Sequence, residues 1–107
     1  MARTYPATDC PVAAALEAIG DRWTLLVLRD LFLDDSRRFQ DLLDSLTGCP
    51  PTTLSQRLRS LEERGLVERR LYEEHPPRYE YVLTAKGREA QPVLKALRDW
   101  GSKLQSI

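Results

Sequence analysis

After Gly65 the chain changes its hydrophobic period, and that switch limits what it can fold into. Upstream, Leu54, Leu58 and Leu61 recur at the spacing of one helical face. Downstream, LVERRLYEE (66–74) and RYEYVLT (78–84) are rich in Val, Leu and Tyr and read as two strands. His75-Pro76-Pro77 separates them, and both prolines are expected in the connection, where no ladder hydrogen bond is lost.

Helical signals fill the rest. Asp9 is positioned to cap a first helix with Pro11 in its first turn, running to Ile19 before Gly20 stops it. Asp21 then opens DRWTLLVLRDLFLD, where Trp23, Leu26, Val27 and Leu31 with their neighbours are apolar nearly all round; this predicts the most buried helix. SRRF is a short break or extended piece before a third helix, FQDLLDSLTG, which Gly48 ends. A fourth helix spans about Pro51 to Arg64, with Gly65 as its stop. Thr84 caps a final helix carrying Val93, Leu94, Leu97, Trp100 and Leu104 at helical spacing, within which Pro92 either makes a kink or resets the start. Two short helices separated by Thr-Gly-Cys-Pro-Pro and followed by a hairpin make a winged helix-turn-helix. The expected fold is mainly α with a small β-hairpin wing (α+β), in a single domain over 1–107. It has a loose arm at 1–8, the helix-turn-helix at 39–65 and the wing at 66–84.

Charge by itself argues for no particular partner. The 107 residues carry 16 basic and 16 acidic side chains, so any nucleic-acid binding must rest on where charges lie. The N-terminus lacks the apolar core of a signal peptide, and no segment approaches the roughly 18 apolar residues of a membrane span. A cytoplasmic, nucleoid-associated protein with no membrane partner is expected. Two cysteines, Cys10 and Cys49, are too few for a disulfide scaffold and should be free thiols.

The fourth helix carries the most informative chemistry. On a wheel of about 100° per residue, Leu54, Leu58 and Leu61 share the core side. Thr52, Gln56, Arg59 and Glu63 lie opposite, with Thr53, Ser55 and Ser60 on the flanks. Arg bridges the acceptors of guanine, Gln pairs with adenine, and Thr or Ser reaches a phosphate or a thymine methyl. Residues at the N-terminus of the second helix of a helix-turn-helix enter the major groove deepest; here those are Thr52, Thr53, Ser55 and Gln56. Arg37 and Arg38 precede the third helix, and Arg78 sits beside His75 at the hairpin tip, where a wing (about 74–79) meets an adjacent minor groove or its phosphates. Candidate DNA contacts are therefore Arg38, Thr52, Thr53, Ser55, Gln56, Arg59, His75 and Arg78. Arg57, Arg69 and Arg70 are less defined; the last two alternate faces, so at most one faces DNA.

These blocks resemble the HxlR-type winged-helix regulators, relatives of the MarR group. The pieces are CPVAAALEAIGDRWTLLVLRDL, RRFQDLLDSLTG, TLSQRLRSLEERGLVERR, PPRYEYVLTAKG and a closing Trp100-Gly101, in order from Cys10 to about Gly101. The resemblance implies a bacterial homodimer that binds pseudo-palindromic double-stranded operator DNA and regulates transcription. It also implies dimerisation helices at 9–19 and 85–105, with Leu94, Leu97, Trp100 and Leu104 on the contact face. The family's usual Ser cap is replaced here by Pro50, so Thr52 is the candidate cap of a helix shifted by a residue or two.

Cys10 matches the position at which some members sense quinones, aldehydes or oxidants. It precedes a helix N-terminus, whose dipole favours a thiolate, and adjoins Asp9, which opposes one. Its two readings are a redox sensor and a small apolar residue at the dimer contact. Cys49 reads as core filling. Trp23 and Trp100 read as core residues, with a small-molecule effector site lined by them as the alternative. No catalytic constellation is present: the one histidine has no nucleophile placed to use it, there is no phosphate loop, and two cysteines with one histidine lack metal-ligand spacing. No enzyme, metal or cofactor is expected. The rival function is a winged-helix protein–protein interaction module that never binds DNA.

Overall fold

The computed structural model describes residues 9–106; the expected N-terminal arm at 1–8 lies outside the described residues. Six helices and three strands follow in the order α1 (Pro11–Ile19), α2 (Arg22–Leu33), β1 (Arg37–Arg38), α3 (Phe39–Ser45), α4 (Pro51–Glu63), β2 (Val67–Glu74), β3 (Pro77–Leu83), α5 (Ala85–Arg88) and α6 (Gln91–Gln105). The winged helix-turn-helix reading holds, with α3 and α4 as its two helices and β2–β3 as the wing.

The core forms where the leucine stripe of α4 meets α2 and α3. Leu54, Leu58 and Leu61 are at most 1% exposed and join Val27, Leu28, Leu31, Leu42 and Leu46 in one cluster, closed below by Val67 and Leu83 of the wing base. Burying each such side chain is worth about 1.5–3 kcal/mol, so the stripe holds α4 in place. As expected, α2 is the most buried helix, but it also buries Thr24 and Asp30. Asp30 is satisfied on one oxygen only, by Arg29 at 2.9 and 3.0 Å. Its other oxygen has no partner among the described residues.

Local chemistry relocates several expected caps. Cys10, not Asp9, is the N-cap of α1: Pro11 begins the helix, which leaves Cys10 extended and its sulfur 3.5 Å from the backbone N–H of Ala13. Thr52 does not cap α4. The helix starts at Pro51 with Pro50 as an N-cap that offers no side-chain acceptor, so Thr52 lies inside the first turn and the helix is not shifted. The final helix expected from 85 is two helices. Thr84 caps the short α5 by accepting from Gly87 N–H at 3.0 Å, and Pro92, which has no N–H to donate, sits in the first turn of a restarted α6. Pro77 is the first residue of β3, opposite Glu74, rather than part of the connection; a strand end is where proline costs no ladder bond.

SRRF supplies a third strand that the hairpin reading lacked. β1 pairs antiparallel with β3 through Arg37↔Tyr81 and Arg38↔Glu80, giving the sheet order β1-β3-β2. The β2–β3 register slips between Leu71 and Glu73, which makes Tyr72 the extra residue of a bulge.

The end of α4 is tied to the chain beyond the wing. Gly65 adopts φ +72°, a conformation open to glycine, and Gly65 N–H and Leu66 N–H close back on Glu62 and Leu61 carbonyls at 3.0 and 2.9 Å. Thr84 Oγ1 donates to Gly65 carbonyl at 2.6 Å, and Thr84 N–H donates to Leu66 carbonyl at 3.1 Å. Gly87 completes the knot: a Cβ there would lie 2.0 Å from the Leu66 carbonyl oxygen. Gly87→Ala is therefore expected to destabilise the domain by about 1–3 kcal/mol, read as a lower urea midpoint.

Candidate nucleic-acid interface

With its leucines buried, α4 turns a polar face outward. Thr52, Ser55, Gln56 and Arg59 are exposed and Thr53 is half-buried on the flank. The N-terminal end of α4 has no capping side chain. The backbone N–H groups of its first turn, together with the positive end of the helix dipole, are therefore presented where an anion can meet them.

The wing gathers a second group. Arg38 and Arg78 line one open groove with Phe39, Gln40, Asp41, Tyr72, Pro76, Pro77 and Tyr79, and the Asp41 carboxylate accepts from the Arg38 backbone N–H at 3.1 Å. Arg38 lies over the Tyr72 ring, 4.4 Å from its centroid, so the bulge on β2 places the ring under the guanidinium that leads into α3. His75 occupies the turn between β2 and β3 and is exposed. The sequence candidates thus separate into a helix set (Thr52, Thr53, Ser55, Gln56, Arg59) and a wing set (Arg38, His75, Arg78).

Electrostatics sorts the arginines further, although formal charges cancel over the chain. Arg78 Nε is 3.2 Å from Glu73, Arg70 pairs with Glu80 at 3.3 Å, Arg37 with Asp34 at 2.6 Å and Arg57 with Asp21 at 3.3 Å. Arg69 lies over the Tyr79 ring at 4.3 Å. Among the described residues Arg38 and Arg59 have no carboxylate within ion-pairing distance, so unneutralised positive charge sits in both the helix set and the wing set.

Sequence reasoning missed the aromatic platforms Tyr72 and Tyr79, whose role depends on cross-strand register. It also missed Asp21 as a partner of α4. Burial pushes the Asp21 carboxyl up, but the Thr24 hydroxyl, the Thr24 backbone N–H, the Arg57 guanidinium and the Trp23 backbone N–H together outweigh this and hold it below the usual range. Beside this pair, burial pushes the Cys49 thiol up, and Cys49 is core filling as expected. Trp23 packs against the core, whereas Trp100 is 61% exposed rather than core, because α6 lays that face outside the single chain. No group of His, Cys, Asp or Glu among the described residues could hold a metal ion, and no described helix is long and apolar enough to cross a membrane.

Comparison with known proteins agrees with this geometry. The HxlR-like helix-turn-helix family matches residues 18–106. The chain belongs to the HxlR family. A Synechocystis protein described as an uncharacterized HTH-type transcriptional regulator is 50% identical over 93 residues, covering 87% of this chain and 68% of the relative. A Mycobacterium tuberculosis regulator of the same description is 47% identical over 92 residues, 86% of this chain, but the chain spans only 57% of that longer protein. Among solved structures, the redox regulator HypR in its oxidized form superposes with a TM-score of 0.82 at 31% identity, covering 88% of this chain and 96% of that one. These relatives make this HxlR-family chain a DNA-binding transcriptional regulator, a reading they favour over an interaction module without DNA binding. The family is one of regulators, and none of these matches indicates an enzyme.

Proposed function

We propose that the protein acts as a homodimer on a pseudo-palindromic operator, with α4 in the major groove and the wing on the adjacent minor groove or backbone. The observation that carries this reading is the outward face of α4, where exposed Thr52, Ser55, Gln56 and Arg59 are backed by fully buried leucines. Gln56 and Arg59 are the base readers, Ser55 and Thr53 flank them, and Thr52 with the uncapped first turn takes a phosphate. Arg38, His75 and Arg78 clamp the backbone, for which Arg78 exchanges Glu73 for a phosphate.

A dimer is supported by what the single chain leaves uncovered. Val93, Leu97, Trp100 and Leu104 form one stripe on α6, each at least 41% exposed, whereas Leu94, expected on that face, packs against the core of its own chain; Val12 and Leu16 of α1 are exposed as well. No residue of α6 is buried. The radius of gyration, 15.5 Å, exceeds the roughly 13 Å of a compact chain of this length. The dimerisation surface is therefore α1 with α6, while α5 (85–88), at the base of the wing, belongs to the DNA-binding half. Regulation through Cys10 is supported by its half-buried place at the N-cap of α1, on this same surface, and by the likeness to a redox regulator.

Three measurements test the reading. Selection of duplexes from random DNA, followed by anisotropy titration, should yield an inverted repeat with half-sites about one helical turn apart. Gln56→Ala or Arg59→Ala should then lose about 1–3 kcal/mol of discrimination at one base position, whereas Arg38→Ala weakens all sequences and lowers the salt slope by about 1. No enriched sequence in reduced or oxidised protein would refute the operator. Trp100→Glu should sediment as a monomer and lose the repeat; a variant that stays dimeric moves the interface elsewhere. Diamide treatment should change operator affinity in the parent but not in Cys10→Ser, and equal responses would remove Cys10 as the sensor.

A further inference from the structure

The first turn of α2, the turn before α4 and the middle of α4 meet at one point. Asp21 caps α2 by accepting from Thr24 N–H at 3.0 Å and from the Thr24 hydroxyl, and its Oδ1 also faces Arg57 Nε on α4 at 3.3 Å. The Cys49 thiol, 7% exposed in the turn between α3 and α4, lies within electrostatic reach of both charges. Arg57 points neither into the core with Leu54, Leu58 and Leu61 nor along the face of Gln56 and Arg59; it is half-buried on the side of α4 nearest α2.

Apolar contact is non-directional. The close-packed leucines fix which side of α4 faces the core. A charge contact at a second point adds a restraint on how the helix is angled against α2, and that angle affects which side chains reach a base edge. The Asp21–Arg57 contact is a charge pair without hydrogen-bond alignment, and it ties one side of α4 to a fixed point, the cap of α2. Asp21 is itself held fixed: it follows Gly20, whose N–H bonds Leu16 carbonyl at 2.7 Å and where a Cβ would lie 2.2 Å from that same oxygen. The corner between α1 and α2 admits little adjustment there, and Ile19 on its other side is buried in the core.

We propose that Asp21 and Arg57 are positioning residues for DNA recognition: the pair fixes the setting of α4 against the α1–α2 corner, and Arg57 is kept for this role rather than for a phosphate. The inference rests on the proposed insertion of α4 into the groove, since it concerns how accurately that helix is presented. The pair is partly exposed and its effect is accordingly modest, a few-fold rather than all-or-none.

The test uses Asp21→Asn, Arg57→Gln and the double variant, all in a Cys10→Ser background that leaves Cys49 as the one thiol. Asparagine caps a helix about as well as aspartate, so Asp21→Asn removes the charge while keeping α2 intact. Two readouts are taken: the rate at which dithionitrobenzoate labels Cys49, and the affinity ratio between the selected duplex and a scrambled duplex of equal length. Each single variant should raise the labelling rate and lower the affinity ratio by about threefold. The double variant should go no further, and binding to the scrambled duplex should stay level. An unchanged labelling rate overturns the proposal. So does an unchanged ratio in a protein that selects an operator. Tighter binding of both duplexes by Asp21→Asn also overturns it, because Arg57 would then be a phosphate contact held back by Asp21. Should the parent select no operator, the groove reading fails by itself, and the labelling rate alone decides whether the pair sets α4.

Discussion

Burial of three leucines on one side of α4 is the constraint on which the rest depends. Leu54, Leu58 and Leu61 are removed almost completely from water, so the opposite side of a helix with 3.6 residues per turn must face out. Every polar residue on the outward face inherits its direction from that apolar contact. The helix needs no side-chain cap to form because its packing outweighs the loss of one hydrogen bond at Pro50. The missing cap instead leaves backbone donors of the first turn without a side-chain partner.

Charge placement does what net charge cannot. Sixteen acids cancel sixteen bases, and a neutral chain would be a poor candidate for attraction to DNA. Folding engages Asp34, Glu73 and Glu80 with arginines at and around the wing, while Arg38 and Arg59 keep theirs unneutralised. Arg38 is held over Tyr72 instead, which orders the side chain without cancelling its charge. Positive charge is therefore local rather than spread over the chain.

Among the described residues, the α6 stripe is the largest apolar surface that the single chain leaves uncovered. Its apolar residues repeat at helical spacing as strongly as those of α4, yet only Leu94 packs against the described core, while Val93, Leu97, Trp100 and Leu104 stay exposed. Gly87 and Thr84 close the wing base against Leu66 just before α6 begins, and Pro92 resets the helix after that knot. The DNA-reading half and the uncovered half are thus built from separate elements joined through the buried α2.

Sequence alone determined the winged helix-turn-helix, because helix and strand periods, glycine stops at Gly20 and Gly65, and the proline turn are local properties; α3, expected to run to Gly48, ends earlier, at Ser45. It also determined which side of α4 is polar, since a wheel needs only the order of residues. What depended on neighbours distant in the chain was not legible. The pairing of Arg37 and Arg38 with β3, the ring beneath Arg38 and the Asp21–Arg57 contact all join residues whose separation in sequence says nothing of their distance in space. The cap moved from Asp9 to Cys10 because Pro11 set the first helical residue, a one-position difference that periodicity cannot resolve. Trp100 is the plainest case: helical spacing marks an apolar face, and only the tertiary structure decided that this face lies outside the core of the single chain.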